Sequence, residues 1–278
     1  MQIGIRLHDM QPGTLEERLP AAHKQGFVCA HLALSKTVQE YAVDNSALTP
    51  GMALYLKRLF AKNETDIAVL GCYKNLAHPD AETLAGFQDT YYAHIRFASL
   101  LGCSVVGTET GAPNAAYVYE PACHTDKALR TFIRNLRPVV RCAEQFGVIF
   151  AIEPVWNHIV YDSVRARQVL DAIASPNLQI IFDPVNLLSM ENYERRDEVV
   201  QTAMEELASD IAVVHLKDFR IEGGKLISVA AGTGMMDYQP VLRFMKEQKP
   251  FVQATLENTK PENAEAARKF LEAEYARA

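Results

Sequence analysis

The chain has 278 residues, 49% of them apolar and 22% charged, with a formal net charge of −6. Such a chain can bury a large core unaided, and its scattered lysines and arginines argue against nucleic acid as a partner. No apolar run approaches the roughly 18 residues of a membrane span, and the five cysteines, odd in number and without CxxC spacing, fit reduced thiols of a cytoplasmic protein.

The first residues lack the basic start and apolar core of a signal peptide, so a cytoplasmic location is expected. A first strand, Gln2 to Leu7, leads into Arg6, His8 and Asp9. Thr14 can cap a helix over residues 14–25, with Glu16 and Glu17 in its first turn, and Gly26 suits the left-handed residue that ends it. A second strand, Phe27 to Leu34, follows. The same join of helix end, glycine and apolar strand recurs at Leu101-Gly102-Cys103 and at Phe146-Gly147-Val148.

Eight strands are predicted, starting near Gln2, Phe27, Asp66, Cys103, Val148, Leu178, Ile211 and Phe251. Helices fit between them over 14–25, 50–64, 80–101, 125–146, 162–174, 194–208 and 237–248, and a last one starts near Glu262. Strict alternation means right-handed βαβ units and a parallel sheet. Eight units in this length predict an α/β fold, a single (β/α)8 TIM barrel over residues 1–278. The loop from Phe219 to Asp237, with Gly223-Gly224 and Gly232-Thr-Gly234, is long enough for a hairpin that could act as a lid.

Four strands end in a metal-ligating side chain: Val148-Ile-Phe-Ala-Ile-Glu153, Leu178-Gln-Ile-Ile-Phe-Asp183, Ile211-Ala-Val-Val-His215 and Phe251-Val-Gln-Ala-Thr-Leu-Glu257. In a barrel the C-terminal strand ends ring one mouth, so these residues converge there. Any one alone reads equally well as a helix cap or a structural histidine. Together, on consecutive strands five to eight, three carboxylates and an imidazole suit one divalent ion, Mn²⁺, Mg²⁺, Co²⁺ or Zn²⁺. Without an ion the carboxylates would repel one another. Pro154 and Pro184 directly follow two of the acids and end their strands cleanly.

The pieces Ala151-Ile-Glu-Pro154, Ile181-Phe-Asp-Pro-Val-Asn186, Val214-His-Leu-Lys-Asp218 and Thr255-Leu-Glu-Asn258 carry a resemblance. The whole chain resembles the xylose isomerase-like barrel superfamily, which holds sugar-phosphate isomerases and epimerases and the AP endonuclease family 2 (endonuclease IV) enzymes. The resemblance implies that Glu153, Asp183, His215 and Glu257 are the metal ligands, and that Glu153 and Glu257 act as a proton-carrying pair on the two faces of a sugar carbon. Where the family often has histidine, three residues after the strand-six Asp, this chain has Asn186. The nuclease branch builds a three-metal cluster with histidines on strands three and four. Cys72 and Glu109 stand there instead, which disfavours that branch.

Moving a proton beside a carbonyl needs a base, an acid and a cation that holds the enediolate charge. Further candidates for substrate contact are Asn186, Lys217, His158, Trp156, Glu109, Arg6 and His8. Four of them have a plainer use: Lys217 as a solvated rim lysine, Trp156 in loop packing, Glu109 bonded to nearby backbone, Arg6 as a paired charge inside the barrel. The expected function is a metal-dependent sugar or sugar-phosphate isomerase or epimerase. An inosose-type dehydratase could use the same site, and a Schiff-base lyase using Lys217 is the rival of different mechanism. The expected partner is a small carbohydrate, with neither nucleic acid nor membrane, and self-association into a homo-oligomer is compatible with these features.

Overall fold

A computed structural model describes residues 1–278. It contains ten strands and nine α-helices. The strands are β1 (Gln2–Arg6), β2 (Cys29–Leu32), β3 (Asp66–Gly71), β4 (Val105–Glu109), β5 (Ile149–Glu153), β6 (Leu178–Phe182), β7 (Ile211–Leu216), β8 (Asp218–Glu222), β9 (Lys225–Val229) and β10 (Gln253–Leu256). The helices are α1 (Leu15–Lys24), α2 (Leu34–Thr37), α3 (Pro50–Lys62), α4 (Ala81–Leu101), α5 (Asp126–Phe146), α6 (Ser163–Ile173), α7 (Arg196–Leu207), α8 (Gln239–Glu247) and α9 (Ala264–Arg277). No helix is long and apolar enough to cross a membrane.

Eight strands close into a parallel barrel in the order β1-β2-β3-β4-β5-β6-β7-β10, and β10 pairs back onto β1. The anticipated fold is therefore the observed one. The loop after β7 does hold an antiparallel hairpin, β8–β9. Three strand starts moved inward by two residues: the last barrel strand starts at Gln253, leaving Phe251 82% exposed, the fourth at Val105 and the second at Cys29. The second strand stops at Leu32, where the unanticipated turn α2 takes over.

Local chemistry explains the element ends. Thr14 N–H donates to Glu17 Oε2 at 2.8 Å, which closes the first turn of α1. Gly26, Gly102 and Gly147 all have φ between +66° and +84°, the left-handed geometry that ends a helix and turns the chain into the next strand. A continuous core of 66 buried residues fills the layer between the barrel and its helices. A smaller cluster of Cys29, Ala68, Val69, Val105, Ala151, Ile181 and Val213 is drawn from the barrel strands alone. Of the five free cysteines, Cys29, Cys72, Cys103 and Cys123 are buried and Cys142 is half-buried.

Candidate active site

The four expected ligands come together. Glu153 ends β5, Asp183 follows β6, His215 lies near the end of β7 and Glu257 follows β10. All four are buried, none more than 5% exposed. His215 Nδ1 sits 3.2 Å from Glu153 Oε1 and 3.2 Å from Glu257 Oε1. One ligand atom from each of the four lies within 4.8 Å of the others. Atoms about 2.1 Å from a shared ion stand roughly 3.0–3.4 Å apart as neighbours and roughly 4.2 Å apart across it. The cluster therefore has the dimensions of a coordination shell, and its three oxygen donors and one nitrogen suit a hard or borderline divalent ion.

The surrounding groups hold these side chains in place. Asp183 Oδ1 accepts from the Val185 and Asn186 backbone N–H groups at 2.9 and 3.1 Å. Its Oδ2 makes no aligned hydrogen bond and meets only the Lys217 ammonium, at 2.8 Å. Asn186 bridges the site: its Nδ2 donates to Glu153 Oε1 at 2.7 Å, and its Oδ1 accepts from Lys217 Nζ at 2.6 Å. Lys217 also reaches Glu257 Oε2 at 3.2 Å. At 4% exposure it is no solvated rim lysine, and its three donors are directed at Asp183, Asn186 and Glu257 rather than into solution. Asp218, next in the chain, accepts from the backbone N–H groups of Phe219, Gly232, Gly234 and Met236 and so ties down the loop beyond β7.

Charge balance follows from this packing. Burial pushes the Asp183 carboxyl up to about 6; Lys217 opposes that shift, and Glu257 and Glu153 reinforce it. Burial alone would lower the His215 imidazole, but the Glu153 and Glu257 carboxylates raise it to about 9. Lys217 is likewise disfavoured by burial yet raised above its ordinary value by Asp183, Glu257 and Glu153. Burial would raise Glu257, but Lys217, His215, Arg6 and His31 hold it well below the usual carboxylate range.

The remaining candidates divide. Arg6 is ion-paired inside the barrel: Nη1 pairs with Glu257 Oε1 at 3.3 Å, and Nε and Nη2 donate to Asp9. His8 stands beside Asp9 at 4.0 Å, lowered to about 4 by burial and by Arg6 and Lys36. Glu109 pairs in register with Glu153 across β4 and β5, accepts from Tyr117 Oη at 3.2 Å and lies 3.9 Å from His158 Nε2. His158 is buried with its Nδ1 unpartnered, and burial lowers it to about 4. Trp156 does not join this group. Its ring lines a different groove of about 890 Å³ with Tyr119, Leu187 and Met190, which shares no residue with the cluster. Loop packing is what fixes its backbone, through Trp156 N–H to Asn186 O at 2.7 Å.

Two residues escaped the sequence reading. His31, fully buried on β2, has its ring 5.3 Å from that of His215. Tyr73, two residues past β3, shares a 2.8 Å hydrogen bond with His31 Nε2. The only signal for His31 was a polar residue inside the strand Cys29-Ala-His-Leu32.

Residues 19–274 match the family model described as xylose isomerase-like TIM barrel. A 3-oxo-isoapionate decarboxylase of Pectobacterium atrosepticum is 30% identical over 140 residues, 47% of this chain and 46% of that protein, so the match spans about half the length of either. A D-tagatose 3-epimerase-like protein superposes with a TM-score of 0.76 at 18% identity, covering 99% of this chain and 97% of its own. The IolI protein with a bound zinc atom gives 0.73 at 16% identity, covering 100% and 97%. At these identities the two structures speak to the fold alone.

Proposed function

The chain belongs to the xylose isomerase-like TIM-barrel family, and from that premise we propose that it is a divalent-metal-dependent isomerase or epimerase that enolises a small sugar or sugar-derived acid. The observation that carries this reading is the buried cluster of Glu153, Asp183, His215 and Glu257 at coordination spacing. A divalent cation held by Glu153, Asp183, His215 and Glu257 would supply the positive charge that stabilises an enolate.

The chain's own residues supply the rest. Glu153 ends β5 and Glu257 follows β10, at the two ends of the ligand-bearing arc, so they would approach a reacting carbon from different sides. One would take the proton and the other return it. Asn186 and Lys217 keep these carboxylates oriented from behind, and burial of the whole cluster excludes water from the charge being formed. The Schiff-base alternative fits poorly, because an imine needs a neutral amine and Lys217 is held as the ammonium by three acidic or polar partners.

A second reading has one observation in its favour, the likeness over half the chain to the decarboxylase. Loss of carbon dioxide from a 3-oxo acid leaves an enolate, a charge of the same kind, which the same residues would then protonate. Loss of water from an enolised inosose is the third outcome open to this chemistry.

The test is metal analysis of the purified protein, then a panel of ketoses, inososes and 3-oxo acids in deuterated water followed by NMR. Stoichiometric metal, chelator-sensitive turnover and deuterium entering the carbon beside a ketose carbonyl are expected. Turnover that survives removal of all divalent metal would overturn the reading. Release of carbon dioxide alone would replace it by the second.

A further inference from the structure

All eight barrel strands deliver a polar side chain to the mouth. The strands β5, β6, β7 and β10 bring the acid–histidine cluster, and β1, β2, β3 and β4 bring Arg6, His31, Tyr73 and Glu109 from the facing half. Arg6 is consumed by Asp9 and Glu257, and Glu109 by Tyr117 and His158. Tyr73 has only His31 as a hydrogen-bond partner. Resting on the enolising reading above, we propose that the Tyr73 hydroxyl, oriented by His31, donates the hydrogen bond that holds the developing negative charge on the substrate from the side opposite the cluster.

The first support is the tautomer that the packing imposes. His31 is fully buried; Nε2 lies 2.8 Å from Tyr73 Oη and Nδ1 has no partner. With its proton on Nδ1, the ring would bury an N–H with nothing to donate to, at full desolvation cost. With the proton on Nε2, it donates to Tyr73 Oη and only a bare lone pair is left unpaired. The phenolic proton is then free to point elsewhere, and the Glu153, Glu257 and Glu109 carboxylates all act on that phenol. Their field draws the proton into the mouth.

The second support is how closely the pair is built. The two rings stack at 6.0 Å with 20° between their planes. Gly71 leaves room for them, since a Cβ there would come within 2.3 Å of His31 Nε2 and 3.0 Å of Tyr73 Cε2. Lys36 Nζ lies 4.5 Å over the Tyr73 ring, a cation–π contact that helps to hold the ring in place. Burial, then the neighbouring carboxylates, keep the group protonated. Tyr73 is thus a donor that does not ionise, suited to an oxyanion and unsuited to proton transfer. His31 is a positioning residue.

Two measurements test this, one without metal. In metal-free protein, ¹⁵N NMR of the histidine rings should show His31 protonated at Nε2 and bare at Nδ1 from pH 5 to 8. A proton on Nδ1 overturns the orientation and the proposal with it. The second uses glycolohydroxamate, a planar anion with two adjacent oxygens, titrated calorimetrically into Mn²⁺-loaded protein. Tyr73→Phe keeps the ring and its packing. It should bind Mn²⁺ as the wild type does and glycolohydroxamate at least about tenfold more weakly, the usual loss of a hydrogen bond to a charged group. Equal hydroxamate affinity in both proteins overturns the proposal alone, as does an equal loss of Mn²⁺ affinity. No hydroxamate binding by Mn²⁺-loaded wild type overturns the enolising reading, and this inference with it.

Discussion

Lys217 shows how one residue's role depends on neighbours that only folding supplies. Its position straight after the strand of His215 was visible in the sequence, but its partners Asp183, Asn186 and Glu257 lie 31 to 40 residues away. Removing its charge strands buried carboxylates. Lys217→Met should therefore destabilise chelator-treated protein by about 3–5 kcal/mol, the cost of breaking a buried ion pair. Saturating Mn²⁺ should restore much of that, because the ion neutralises the same acids. Equal destabilisation with and without metal would mean that Lys217 and the ion do not share those carboxylates. His31 and Tyr73 were hidden for the opposite reason. Inside short apolar stretches each reads as core filling, and only the closure of the barrel brings them together.

The pH behaviour of the cluster also belongs to single residues. The His215 value of about 9 stands above its ordinary 6.5, so its contribution to stability is present in full below about pH 6.5 and is lost as pH rises through about 9. Asp183, raised to about 6 from 3.8, contributes in full below about pH 4 and loses that contribution as pH rises through about 6. Both shifts mean that an entering cation must displace protons. Between about pH 6 and 9 one proton leaves, and metal affinity should fall about tenfold per pH unit on acidification; below about pH 6 two leave and it should fall about a hundredfold per unit. Competition titrations against a chelator of known affinity measure this slope. A flat profile over that range would remove His215 from the ligand set.

Among the elements, the alternation of strand and helix was legible because the join of helix end, glycine and apolar strand recurs, with glycine in left-handed geometry at all three quoted joins. Pro154 and Pro184 marked where β5 and β6 stop. Phe251 misled for a physical reason: an aromatic residue beside Val252 looks like strand interior, yet it precedes the pairing of β10 and stands in solvent. The segment beyond β7 was readable as a hairpin but not its anchor. Asp218 receives four backbone N–H groups there, a cage that neither a neutral nor a shorter side chain reproduces. Asp218→Ala should cost about 3 kcal/mol or more, from several lost bonds to a charged acceptor. Hydrogen exchange should then rise across residues 219–236 and stay unchanged in β1 to β4. Uniform loosening of the whole barrel would show instead that Asp218 supports the core.

For the whole molecule, closure is what turns three distant acids and a histidine into one site, and an ion held there would tie four strands to each other. Ligands from β5, β6, β7 and β10 span half of the ring and end at the last strand, which pairs back onto the first. A cation that binds this assembled ring and not the unfolded chain stabilises by mass action, about 2.7 kcal/mol at a concentration a hundredfold above its Kd. For a chain of this size that is a rise in Tm of roughly 5 °C. His215→Ala removes the nitrogen donor and opens space against His31, so it should abolish both the bound metal and this rise while the circular dichroism of the folded barrel persists. Glu109→Gln is the control, since Glu109 neighbours Glu153 in register but belongs to the Tyr117 and His158 group. It should keep the metal and the full thermal shift. A Mn²⁺-dependent rise in Tm that survives in His215→Ala, with metal at full occupancy, would place the ion elsewhere in the mouth and undo the ligand set on which the proposed chemistry stands.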